Sequence, residues 1–281
     1  MISPPSHLLR FLFCLLLGGL LPATLQAGPL ALQDGEQMTF RVGWGLFIGA
    51  GEIRIAARTE ELKGRPQLRV VTTTATGGLL RTFFPFDARS ESIFDPRTGR
   101  IQMSTESSQA KYKQTSQSLV FDYTHRRASY INDVDPAKSA VLAVPPGEPM
   151  DLIMSLVQTR NWKLKPGEKQ DALVIFDNDF YELTLHAERY ETLITPLGTF
   201  QTLLLVPRME KTPPKGMFKR GSNVRVWISQ DARHLPVRFE VEFKFGVGVA
   251  TLVDYTPPGA AQPTPPAVLA AGPEDEANPG S

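Results

Sequence analysis

The side chains outside the N-terminal segment that could take part in chemistry are three histidines and several carboxylates. His125, His186 and His234 share no spacing that would bring two of them to one metal ion. His186 shares one face of a predicted strand with Glu182, Thr184 and Glu188, while the apolar residues lie on the other face, so we expect it to face solvent. The runs 132–135 and 177–179 lack the glycine and the closing glutamate of a calcium loop and are predicted to be turns. The sequence therefore predicts no metal and no cofactor.

A further charged group comprises Asp87, Arg89 and Glu91, which alternate along one predicted strand and so share a face. Paired carboxylates beside an arginine could act as acid and base, as in a hydrolase or lyase acting on envelope glycans. The same alternation is typical of a charge ladder on an exposed sheet. We favour the ladder because no second carboxylate pair can be placed opposite it, and we assign no catalytic residue.

Two connecting segments have unusual compositions. Residues 77–86 are too apolar for a free loop, which indicates either a mobile lid with a glycine hinge or a fixed plug that completes the core. Residues 209–221 place basic side chains around Met217 and Phe218, which suits an anionic lipid head group or acidic polysaccharide, although a solvated hairpin loop has the same composition. The predicted ligand-binding residues are Leu79, Leu80, Phe83, Phe84, Phe86, Lys215, Lys219 and Arg220.

The N-terminus has the pattern of a secretory signal. A positive charge at Arg10 precedes an apolar run over residues 11–21, which is too short to span a bilayer of about 30 Å. Cleavage after Ala27 would leave residues 1–27 as the signal peptide. An uncleaved anchor is the alternative, because Leu25 is less favoured than alanine three residues before the cut. Either reading predicts export, most simply to a bacterial periplasm.

Composition limits the remaining possibilities. Cys14 is the only cysteine and lies inside the apolar run, so we expect no disulfide and no thiol chemistry in the mature chain. With 30 Lys and Arg against 29 Asp and Glu, the chain has no net field to attract nucleic acid. No later segment has the length of a membrane span. Residues 256–281 are rich in Pro, Ala and Gly and are predicted to be disordered.

The body between these termini, residues 28–255, has the length of one β-rich domain. Alternating runs such as Met38–Val42 and Gln67–Thr72 predict half-buried strands, and the short connections favour antiparallel pairing. Residues 149–160 differ, because Leu152, Ile153, Leu156 and Val157 have helical spacing behind a possible Asp151 cap. One helix against many strands predicts a strongly curved antiparallel sheet, or a partly open barrel, with the helix packed on its concave side.

Several strand and turn signatures support a family resemblance. They are Gly35–Trp44 with Gly49–Glu52, Phe86–Asp95, Pro196–Phe200, Val226–Ser229 and Arg233–Val237. Together they resemble the bacterial exported proteins grouped as domain of unknown function 3108. The resemblance covers nearly the whole body and implies a periplasmic, mostly antiparallel β domain. Its shape is similar, by fold analogy, to the half-barrels that carry lipoproteins between bacterial membranes.

These observations lead us to expect a non-enzymatic periplasmic protein that binds an apolar or lipid-like ligand, such as an acyl chain, or an envelope protein. One alternative is the glycan-acting hydrolase or lyase. Another is a scaffold that binds a second exported protein by adding a strand at a free sheet edge, with the tail as a tether.

Overall fold

The computed structural model describes residues 30–45, 47–214, 218, 223–243 and 246–260. Within these ranges the chain forms fifteen β-strands and two short α-helices. The strands are β1 (Gln37–Trp44), β2 (Phe47–Leu62), β3 (Arg65–Thr76), β4 (Phe86–Phe94), β5 (Ile101–Ala110), β6 (Gln114–Asp122), β7 (Arg127–Asn132), β8 (Ala140–Ala143), β9 (Pro149–Asp151), β10 (Lys169–Phe176), β11 (Asp179–Thr195), β12 (Gly198–Arg208), β13 (Val224–Ser229), β14 (Pro236–Phe243) and β15 (Gly246–Thr256). The helices are α1 (Gly78–Phe83) and α2 (Leu152–Gln158).

All fifteen strands belong to one sheet. Its order is β8-β7-β6-β5-β4-β3-β2-β1-β15-β14-β13-β12-β11-β10-β9, so two meanders join where β1 pairs with β15. Each neighbouring pair is antiparallel except β9 and β10, which are parallel. The predicted mainly β fold, with a strongly curved sheet that does not close and one packed helix, is confirmed.

The curvature follows from the connection between the two edge strands. β8 and β9 lie at opposite edges of the sheet but are joined by residues 144–148 alone, which can span at most about 18 Å. The edges therefore come close to each other. The connection also brings β9 against β4 and β5, where the Ser92 hydroxyl donates to Asp151 Oδ2 at 2.7 Å and Arg100 Nη2 donates to Glu148 Oε1 at 2.7 Å.

The core occupies the concave side of the sheet. Phe40, Phe94, Leu235 and Leu252 are all fully buried there, as the alternation of apolar and polar residues along the strands predicts. Four residues of α2 are buried against the core: Met154, Ser155, Val157 and Gln158. Asp151 caps this helix as predicted, because its Oδ1 accepts the Met154 N–H at 2.7 Å. Leu152, Ile153 and Leu156, predicted to form the apolar face with Val157, are only partly buried.

A buried ion pair fixes the chain after α2 to the start of the domain. Arg160 Nη1 donates to Glu36 Oε1 at 2.8 Å, and the two side chains are 11% and 1% exposed. The Tyr255 hydroxyl donates to the same carboxylate oxygen at 3.0 Å. Arg160 also donates to the Ala31 carbonyl at 2.9 Å. Every charge in this network therefore has a partner, as buried charges require.

Candidate functional site

The concave face of β3 to β6 carries polar side chains, whereas a hydrophobic core would have aliphatic side chains at these positions. In the strand register, Ser90 lies opposite both Thr72 and Glu106, and Glu106 lies opposite Gln117. Residues directly opposite one another share a face of the sheet, so these four side chains point to the same side. This part of the interior can therefore form hydrogen bonds.

A cavity of about 310 Å³ separates this polar row from α2 and β10; we call it the inner cavity. Its volume is at the lower end of the range for small-molecule sites. The apolar residues that line it are Phe86, Ala88, Leu119, Leu152, Ile153, Ile175 and Phe176. The inner cavity thus combines an apolar wall with a wall of hydrogen-bonding groups.

Three carboxylates line the inner cavity: Glu106, Asp151 and Asp177. The Gln117 side-chain amide donates to Glu106 at 3.3 Å, and the Ser92 hydroxyl donates to Asp151 at 2.7 Å. Within the described part of the chain, none of the three forms an ion pair. Nor do the described residues include a group of three His, Cys, Asp or Glu side chains that could hold a metal ion.

The electrostatics of the inner cavity favour the neutral form of two of these carboxyls. Burial raises the pKa of Glu106, and the negative charges of Asp177 and Asp151 raise it further. Burial also raises the pKa of Asp151, and it outweighs the hydrogen bonds from the Met154 N–H and the Ser92 hydroxyl, which act in the opposite direction. Both groups therefore hold a proton to higher pH than exposed carboxyls do.

The predicted apolar loop contains α1 and lies at the edge of the inner cavity. Leu79, Phe83 and Phe84 are 63%, 58% and 66% exposed, and no residue of α1 is buried. The segment is therefore not a plug that completes the core. Leu80 is partly exposed, and of the five predicted apolar residues, Phe86 lines the inner cavity.

The predicted basic residues Lys215, Lys219 and Arg220 lie outside the described residues, as do residues 1–29 and 261–281. The adjoining Lys211 is described, and its ammonium group donates to Asp171 Oδ2 at 2.6 Å. This lysine is thus engaged in a surface ion pair.

Side chains alternate between the two faces of β4, so those of Asp87, Arg89 and Glu91 lie on the outer face, opposite to Ser90 and Ser92. Arg89 also borders the inner cavity. Arg81 Nη2 donates to Asp87 Oδ2 at 2.7 Å, and Arg89 Nη2 donates to Glu91 Oε2 at 3.1 Å. These contacts form a charge ladder on the surface. The pair of inward carboxylates that the hydrolase alternative needs is not present at these positions.

Two of the three histidines lie against nearby carboxylates. His125 Nδ1 lies 2.6 Å from Asp122 Oδ2, and His186 Nε2 lies 2.7 Å from Glu210 Oε1. His234 occupies the turn before β14 with a positive φ of 47°. None of the three histidines lines the inner cavity.

The architecture is one large curved sheet that does not close, and its fold resembles that of β-barrel-like proteins. The chain belongs to the family described as protein of unknown function DUF3108, whose family model matches residues 39–253. It is also similar in structure to a β-barrel-like protein of domain of unknown function DUF1849 from Brucella abortus, with 6% identity, a TM-score of 0.50, and 81% of this chain and 98% of that chain covered.

A DUF1089 family protein from Pseudomonas aeruginosa matches with 10% identity and a TM-score of 0.30, over 75% of this chain and 92% of that one. No curated protein matches the sequence. In the described ranges, no helix has the length and apolar character needed to cross a bilayer.

Proposed function

We propose that this chain is an exported, non-enzymatic protein of the bacterial envelope that binds an amphiphilic, lipid-like ligand in the inner cavity. The observation that carries the proposal is the cavity of about 310 Å³ with an apolar wall from α2 and β10 and a polar wall from β3 to β6. An apolar chain would lie against Ile153 and Phe176. A polar head would form hydrogen bonds with side chains such as Ser90 and Gln117.

The exposed apolar residues of the α1 segment support this function, because they lie where a ligand would enter. The Phe86 N–H donates to Thr76 Oγ1 at 2.9 Å, and the Thr76 hydroxyl donates to the Phe84 carbonyl at 2.9 Å. These bonds join the exposed Phe84 to Phe86, which lines the inner cavity. A ligand leaving a membrane would pass along this apolar surface without exposure to water.

Filling the inner cavity should abolish binding. Ser104 lines it, and the substitution Ser104→Phe is expected to reduce the amount of ligand that co-purifies with the protein at least tenfold. The matched control is Ser107→Phe on the same strand, because Ser107 is exposed and is not among the residues that line the inner cavity. Native mass spectrometry followed by organic extraction measures the bound ligand. Ligand retained by a folded Ser104→Phe variant, and by Ala88→Phe if the first does not fold, would contradict the proposal.

Removing the apolar surface of α1 should slow ligand uptake. The double substitution Phe83→Ser and Phe84→Ser is expected to lower the rate of uptake from vesicles several-fold while the melting temperature stays unchanged, since both side chains are exposed. Leu62→Ser, at an exposed apolar residue at the end of β2, is the control. Equal uptake rates in all three proteins would show that α1 is not the entry point.

Location in the periplasm is part of the same proposal and rests on the signal pattern of residues 1–27. Cell fractionation combined with mass determination of the mature N-terminus tests it. A mature protein that starts near Gly28 in the periplasmic fraction is the expected result. An intact N-terminus would instead favour the anchored form.

A further inference from the structure

A second groove lies on the outer face of the sheet, away from the inner cavity; we call it the outer groove. It has a volume of about 440 Å³ and crosses β1, β15 and β14 beside the tip of the β11–β12 hairpin. Residues that line it include Arg41, Arg238, Thr251, Val249, Ile194 and Pro196. Ile194 is 77% exposed, so the groove is open to solvent along this side.

Two arginines stand on either side of one threonine in the outer groove. Thr251 of β15 lies directly opposite Arg41 of β1 and also directly opposite Arg238 of β14. The three side chains therefore form a row across one face of the sheet. Neighbouring strands are about 4.8 Å apart, so the two arginine backbones are separated by about 10 Å. A backbone separation of this size is wide enough to admit one carboxylate or phosphate group between the two arginine side chains.

Neither arginine is neutralised within the described part of the chain. Arg41 and Arg238 form no ion pair there, and Arg238 Nε is buried without a hydrogen-bond partner. The Arg238 guanidinium lies over the Trp227 ring at 5.8 Å from its centroid. A buried donor left without a partner costs free energy, so an oxygen ligand at this position would be stabilising.

The nearby acidic side chains are already engaged with other arginines. Glu52, which lies opposite Arg41 on β2, pairs with Arg54. Glu240, two residues after Arg238 on the same strand, pairs with Arg225. The row of Arg41, Thr251 and Arg238 is thus a positive site without a protein counter-ion among the described residues.

The rest of the outer groove is apolar, and glycines leave part of its floor without side chains. Val249 and Ile194 contribute aliphatic surface, and Gly43 lies opposite Val249 in the register. A Cβ atom at Gly43 would meet its nearest neighbour, the Phe47 carbonyl oxygen, at 3.6 Å, which is an ordinary contact. The space above Gly43 is therefore open and could accept part of a ligand.

We propose that the outer groove is a second binding site, which takes an anionic amphiphile. Its carboxylate or phosphate oxygens accept hydrogen bonds from Arg41, Thr251 and Arg238, and its apolar chain lies over Gly43 against Val249. Guanidinium groups are suited to such anions because they donate hydrogen bonds in a planar, forked arrangement. The site does not depend on the inner cavity.

The test is a titration of the full chain with dodecyl phosphate and with laurate. Dodecyl trimethylammonium and inorganic phosphate serve as probes that lack the negative head and the apolar chain, respectively. Arg238→Met is expected to weaken binding of both anionic amphiphiles at least tenfold. Arg97→Met is the control, because it removes an exposed arginine that pairs with Asp95 between β4 and β5, and it should leave the affinity unchanged.

A second variant keeps the proposal falsifiable if Arg238→Met does not fold. Gly43→Val fits the backbone space and fills the floor of the outer groove, so it should weaken laurate binding by a similar factor. Unchanged affinity in folded Arg238→Met or Gly43→Val would overturn the proposal, as would equally tight binding of inorganic phosphate or dodecyl trimethylammonium. Laurate binding that is lost in Ser104→Phe but kept in Gly43→Val would assign the ligand to the inner cavity instead.

Discussion

Replacement of Arg160 by alanine is expected to lower the free energy of unfolding by about 3–5 kcal/mol. The substitution removes the ion pair with Glu36, whose side chain is 1% exposed, and leaves a buried carboxylate without its charged partner. It also removes the hydrogen bond to the Ala31 carbonyl. Since total stabilities are typically about 5–15 kcal/mol, the loss would be visible in urea-induced unfolding.

Two further variants identify the cause of this loss. Lys138→Ala removes the same charge from an exposed pair with Asp135 and should produce no measurable change. Combining Arg160→Met with Glu36→Gln removes both charges and should recover part of the lost stability. If Arg160→Ala and Lys138→Ala unfold at the same urea concentration, the buried pair does not stabilise the fold as described.

Replacement of Asp151 by asparagine is expected to stabilise the protein at neutral pH. Burial raises the pKa of this carboxyl, so keeping it charged in the folded state costs about 1.4 kcal/mol for each unit of the rise. Asparagine can still cap α2 through its carbonyl oxygen and donate to the Ser92 hydroxyl, so the hydrogen bonds are preserved. Asp151→Ala, which loses the cap, should instead destabilise the protein.

The pH dependence of stability tests independently whether the charged Asp151 carboxylate destabilises the folded protein. Because the folded pKa of Asp151 exceeds the unfolded value of about 3.9, the folded state binds the proton more tightly. The stability of the wild-type protein relative to Asp151→Asn should therefore fall as the pH rises from about 4 through the folded pKa. Thermal unfolding of both proteins between pH 3 and pH 8 measures this difference. A difference that does not change with pH would show that the carboxyl is not desolvated.

Much of the fold could be predicted because hydrophobic alternation reports which face of a strand is buried. Met38 and Phe40 alternate with polar residues and are buried as that pattern indicates. The edge strands β8 and β9 are four and three residues long and contain at most two periods of the alternation, which is too few to predict a strand. The sequence predicts a loop where the structure has α1. A glycine pair and an apolar composition are atypical of a helix, and this helix has no buried residue.

The inner cavity could not be predicted because its polar wall has polar residues on both faces of the strands. Glu106 faces the interior, while its neighbours Thr105 and Ser107 face outward and are equally polar. Alternation carries no information when both faces have the same character. The row of Arg41 and Arg238 was likewise missed, because the two arginines are almost two hundred residues apart in sequence and meet only through the pairing of β1 and β15.

The pairing of β1 with β15 also determines how the molecule would be oriented if either terminus were attached to something. Gln37, at the start of β1, lies opposite Thr256, at the end of β15, so the chain enters and leaves the domain at one point. The helix α1 follows β3 at the opposite end of the strands, beside the start of β2. A tether at either terminus would therefore attach at the same end of the strands, with Phe83 and Phe84 at the opposite end.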